Sequence, residues 1–130
     1  QIKRAAAAEF PGKIVTLAKA DHVMWKRRLV AMAAGRIKLK ADELADHRSC
    51  RLGKWYYGEA SMPFRCEPAF AELERPHQAV HEHGKTAARL FAEGRSEEAL
   101  AAIARVEEAS AEVLRLLDAL GNTPAARQAA

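Results

Sequence analysis

The sequence predicts an all-α fold, an antiparallel four-helix bundle with one short additional helix. Alanine is abundant and β-branched residues are sparse, the composition of good helix formers. Apolar residues recur at three- and four-residue spacing over long stretches, and no period-two alternation leads into a hairpin signal such as Asn-Gly. Over 12–34, Ile14, Ala18, Asp21/His22, Trp25, Leu29 and Met32/Ala33 fall on one stripe, which predicts a long helix with His22 on its apolar face. Pro11 suits its first turn, where a missing amide hydrogen costs nothing, and Gly35 marks its end. Residues 46–58 read as a short helix with Asp46 as N-cap and Gly58 as stop, putting Cys50 in or near the first turn. A loop follows to Pro68. The next pattern aligns Phe70, Leu73, His77, Val80/His81, Gly84 and Ala88, and Pro76 inside it predicts a kink or a restarted helix. The last helix is expected from Ser96, as N-cap ahead of Glu97 and Glu98, to Leu120 with Gly121 as stop. Its seam is Leu100, Ile103, Val106, Ser110, Val113, Leu117 and Leu120. Short connections between these helices make neighbours antiparallel.

The 130 residues are 49% hydrophobic, 29% charged and 6% aromatic, which fits one globular domain and is too apolar for disorder. We expect the domain over 12–120, the end of an upstream helix or a linker over 1–11, and a tail over 121–130. Gln1 in place of an initiator Met suggests a module of a longer protein. No apolar run approaches the ~20 residues of a membrane span, so no membrane insertion is expected. The 21 Lys and Arg against 17 Asp and Glu, a net charge of +4, permit nucleic-acid binding without arguing for it. The basic residues read as scattered solvated faces, and no nucleic-acid partner is expected. Two cysteines, Cys50 and Cys66, are too few for a disulfide scaffold of this size, which points to a reducing, cytoplasmic setting.

Three of the five histidines and one of these cysteines carry the chemistry. His77 and His81, four apart on a helix, stack on one face and can grip one metal ion. Alone the pair is a weak signal. His22 adds a third imidazole from another helix and Cys50 a thiol from a third, and three nitrogens with one sulfur make a closed tetrahedral set that suits zinc. Cys50, close to a helix N-terminus and flanked by Arg48 and Arg51, is expected to have a lowered thiol pKa. Its zinc-bound thiolate would be the redox-reactive group of the site.

The spacing is specific. His22-x-x-Trp25, 24 intervening residues, Cys50-x-Leu52-Gly53-x-Trp55, 21 intervening residues and His77-x-x-x-His81 resemble the signature of the chemoreceptor zinc-binding domain family over residues 12–120. The resemblance implies that His22, Cys50, His77 and His81 are the Zn2+ ligands. It further implies a regulatory domain attached to a methyl-accepting chemoreceptor or a diguanylate cyclase, and a homodimer, since some members dimerise. Trp25, Leu52 and Trp55 are then core residues that wall the site, and Gly53 allows close helix approach beside Cys50. Asp21 is a candidate to orient a ligand ring or modulate the thiolate. His83, ~200° around the helix from His81, is expected to face away from the metal; His47 is expected to be exposed, and Cys66 to be an incidental thiol.

Enzyme chemistries fit less well. Di-iron bundles need two Glu-x-x-His copies, and Glu74-Arg75-Pro76-His77 is the single one. His81-Glu82-His83-Gly84-Lys85 lacks the second histidine of H-E-x-x-H. Four protein ligands also close the position that a catalytic zinc keeps open for water. A sensor of zinc or of oxidants such as hypochlorous acid is expected, with a structural zinc-stapled dimerisation module as the competing function.

Overall fold

The computed structural model describes residues 2–123 and residue 126, with side chains from residue 13 onward. Three long helices make the bundle: α1 (Ile2–Ala33), α3 (Pro68–Ala92) and α4 (Ser96–Gly121). A short helix, α2 (Arg51–Tyr56), and two 3-10 helices, Ala41–Glu43 and Glu59–Phe64, lie between α1 and α3. There is no strand among the described residues, so the chain forms the predicted all-α bundle, but from three long helices where four were expected, because the 46–58 segment supplies only the six-residue α2.

Helix α1 starts at Ile2, well before Pro11, through an alanine-rich stretch of high helix propensity. It ends as predicted at Gly35, whose φ of 78° is open to glycine at no steric cost. Gly35 N–H donates to the Met32 carbonyl and Arg36 N–H to the Ala31 carbonyl, both at 2.9 Å, a Schellman closure. Gly94 (φ 79°) closes α3 in the same way. The connection after it is short, so α3 and α4 must return antiparallel. Ser96 is therefore the first residue of α4 and not its N-cap: Arg95 takes that place, and its carbonyl accepts from Ala99 N–H at 3.0 Å.

Helix α3 runs unbroken through Pro76. Pro76 removes one backbone bond, but Leu73, His77 and Val80 around it are buried at 2% exposure or less, and that packing carries the helix across. Continuity matters because it keeps His77 and His81 one turn apart. The loop expected after Gly58 is instead the 3-10 helix Glu59–Phe64, held by Ser61 Oγ donating to the Tyr56 carbonyl at 2.8 Å.

The core is one cluster that includes Ile14, Ala18, Leu29, Met32, Leu73, Val80, Val106, Val113 and Leu117. On α4 the buried face takes Ala99, Ala102 and Leu116 and leaves Leu100 55% exposed, so Leu100 does not belong to the seam. Contacts set the direction of α1. Lys19 pairs with Asp118 and His22 meets Ser110, so α1 runs antiparallel to α4. His22 and Trp25 meet His77 and His81 in the same order, so α1 runs parallel to α3.

Candidate metal centre

Helix α3 presents His77 and His81 inward, 2% and 6% exposed, with ring centroids 5.0 Å apart. Cys50 arrives from the segment before α2. The predicted start of this helix at Asp46 is not what forms: Asp46 Oδ1 accepts from Arg48 N–H and Ser49 N–H at 2.9 Å each, closing a separate turn. Cys50 is itself the N-cap of α2, its sulfur accepting from Gly53 N–H at 3.4 Å. Gly53 is required here by close approach, because a Cβ on it would lie 2.0 Å from the His47 carbonyl oxygen. What it admits is this turn's backbone and not a neighbouring helix.

Cys50 Sγ lies 3.2 Å from His77 Nε2, and donor atoms of Cys50, His77 and His81 all fall within 4.8 Å of one another. Tetrahedral zinc with bonds of roughly 2.0–2.3 Å holds its donors at about such separations. His81 Nδ1 is 2.8 Å from the Ala45 carbonyl; as Nδ1 must donate there, Nε2 is left as the lone-pair donor, the usual way a metal-binding imidazole is oriented. The residues present therefore fit zinc.

Burial pushes His22 down to about 4 and His77 down to about 3, and lowers His81 as well, with neighbouring imidazoles adding to the shift of His22 and His77. All three rings are neutral at pH 7, the form that ligates. The thiol behaves opposite to the sequence expectation. Burial raises the pKa of Cys50, with Asp21 in the same direction, over the lowering by the Gly53 and Leu52 amides. The two arginines do not compensate: Arg48 stacks 4.4 Å over the Tyr57 ring and Arg51 pairs with Asp21 at 3.3 Å.

His22 lies beside this group. It is 5% exposed, its ring centroid is 6.1 Å from that of His77, and its Nδ1 is 3.4 Å from Ser110 Oγ. Ser110 interrupts an otherwise apolar seam, which was the one sequence sign of a buried polar partner. Trp25 packs 4.9 Å from His81 and against Gly84. Asp21, Trp25 and Leu52 line a cavity of about 420 Å³ with His22, Cys50 and His81. Trp55, expected as a wall, is one turn beyond Leu52 and packs on Phe64 and Phe70 instead. His47 is half-buried, not exposed, its ring edge-on 6.1 Å from His77. His83 lies away from the ligands, with Arg105 and Glu108, and Cys66 is exposed. The Ala45 carbonyl, a backbone atom, had no signal in the sequence at all.

The family model described as the chemoreceptor zinc-binding domain matches residues 22–88, 67 of the 130 residues. No curated protein and no solved structure matches the chain significantly.

Proposed function

Because the chain belongs to the chemoreceptor zinc-binding domain family, we propose that this zinc-binding regulatory domain is a sensor that relays zinc occupancy, or oxidation of Cys50, to an attached signalling domain of a cytoplasmic methyl-accepting chemotaxis protein. The observation that carries this is the Cys50/His77/His81 group with its single sulfur. His22 is the fourth ligand; its burial and the Ser110 hydroxyl beside Nδ1, which leaves Nε2 as the free donor, support that role. Cys50, His77, His81 and His22 would hold the zinc, which when bound would favour loss of the Cys50 thiol proton. Cys50 and the Ala45 carbonyl tie the segment before α2 to α3. Two-electron oxidation of the Cys50 thiol by hypochlorous acid gives the sulfenic acid and releases chloride and a proton. The sulfur is then a poorer ligand, and the segment around 46–58 loosens. The domain acts without catalysis of its own and as a homodimer.

The test joins metal content to output. The purified chain should carry one zinc per copy by mass spectrometry, and Cys50→Ala in the full-length protein should abolish the oxidant response while circular dichroism stays helical. An undiminished response in Cys50→Ala overturns the redox role, and a zinc-free His22→Ala/Cys50→Ala double variant with unchanged output would make the site a structural dimerisation staple. A nucleotide-cyclase output in place of a chemotaxis one would put the domain on a diguanylate cyclase.

A further inference from the structure

The net positive charge of the chain arises in one segment, although basic residues occur along its whole length. Residues 26–40 hold Lys26, Arg27, Arg28, Arg36, Lys38 and Lys40 and no acid, which leaves 15 cations against 17 anions elsewhere. Lys40 pairs with Glu43 at 3.8 Å; the other five form no ion pair among the described residues. The same stretch and the turn before it expose Val23 (40%), Met24 (55%), Val30 (53%) and Ile37 (39%), four of the six exposed large apolar side chains among the described residues. Lys26, Arg27 and Arg36 surround a groove of about 580 Å³ floored by Val23, Val30 and Ala34, with Glu107 its one carboxylate.

We infer that the C-terminal end of α1 and the connection after it form a docking face for an anionic lipid bilayer. Long cationic side chains keep their charge at headgroup level while their stems and the neighbouring aliphatic groups enter the acyl boundary. Clustered Lys and Arg add to binding at an anionic surface. A second copy is disfavoured here, because a two-fold contact would set these cations against one another. A nucleic acid would find no stacking platform: the one aromatic ring in this stretch, Trp25, is packed on Gly84 and His81. No helix of the described chain is long and apolar enough to cross a membrane, so contact is peripheral.

The experiment is co-sedimentation of the 130-residue chain with phosphatidylglycerol/phosphatidylcholine vesicles and with pure phosphatidylcholine vesicles, at low and high salt. Expected are binding to the anionic vesicles alone, its loss at high salt, and an affinity about 100-fold lower in Lys26→Gln/Arg27→Gln/Arg36→Gln. Val23→Ser/Val30→Ser should bind about fivefold or more weakly. Unchanged circular dichroism and zinc content would show that both variants fold. The inference is overturned by no binding, by equal binding to both vesicle types, or by a wild-type affinity in the neutralised variant. It is also overturned if the serine variant binds vesicles like the wild type and duplex DNA binds as tightly, since the face would then be a general polyanion site.

Discussion

Gly53→Ala should weaken the metal site without altering any ligand. Two effects of opposite sign compete at this position. Alanine in a helix is favoured over glycine by about 1 kcal/mol, so at an open helical site the change would stabilise. Here the new Cβ meets the His47 carbonyl oxygen at 2.0 Å and the Arg48 carbonyl carbon and Cα at 2.9 Å. These are backbone atoms of a turn closed by Asp46, and no side-chain rotation relieves the clash. The turn must retreat by about 1 Å to reach the 3.0 Å limit. Overpacking of this kind costs typically 1–3 kcal/mol, so after the helical gain a net loss of up to about 2 kcal/mol is expected. Cys50 sits between the displaced turn and α2, and metal–ligand distances tolerate only ~0.2 Å. A shift of this size should lower zinc affinity about 10- to 100-fold, on the scale of losing a supporting group. Zinc competition titration gives the affinity, and the thiolate-to-metal absorption of the cobalt-substituted protein reports whether sulfur still ligates. A variant that is more stable than wild type and binds zinc as tightly would refute the close approach of the 47–48 turn.

Two further outcomes follow from the same geometry. Gly84→Ala places a Cβ 2.5 Å from Trp25 Cζ2, but a half-buried side chain can swing away. Its stability loss by urea unfolding should be smaller than that of Gly53→Ala, under about 1 kcal/mol, with a shift in tryptophan emission; an unshifted spectrum would count against the contact. For the metal-free protein, His22 and His77 have folded pKa values of about 4 and about 3, below the ordinary value of 6.5. The unfolded chain then binds more protons as pH falls below 6.5. Stability is full above that pH and declines toward 4, by about 1.4 kcal/mol per pH unit for each ring. Urea midpoints that stay level between pH 7 and pH 5 would contradict the burial of neutral imidazoles.

The bundle was legible because its helices carry their own signals: Gly35, which takes a positive φ at the end of α1, and apolar stripes that survive into the core. The candidate ligands were legible through spacing, since helical geometry alone brings His77 and His81 together. What escaped the sequence depended on tertiary burial or on backbone atoms. Helix capping and Arg48 and Arg51 suggested an acidic thiol at Cys50, but the folded chain turns both arginines to other partners and buries the sulfur. Asp46 looked like the cap of a continuous helix, and only the fit of Gly53 under the His47 carbonyl shows why the chain turns first and starts α2 at Arg51. Leu100 matched the seam by spacing, yet the adjacent Ala99 is the residue that is buried.

The way α2 is anchored bears on what zinc could control. Tyr56 Oη donates to the Phe70 carbonyl at 2.7 Å, Tyr57 Oη donates to Glu74 Oε2 at 2.6 Å, and the Tyr56 ring stacks on Phe70 at 4.0 Å. None of these contacts involves a candidate ligand, so loss of the metal would break none of them. Ahead of α2 the attachments are of another kind: the Ala45 carbonyl meets His81, and Cys50 meets His77. Both run through imidazoles of the site, and both lie on exposed or half-buried chain. Leu44, 6% exposed, is the apolar contact nearest to them in sequence. Loss of the sulfur or of the metal would therefore act on residues 45–50 before it acts on 51–58. This narrows the proposed responsive segment to the stretch that joins the basic end of α1 to the candidate metal centre.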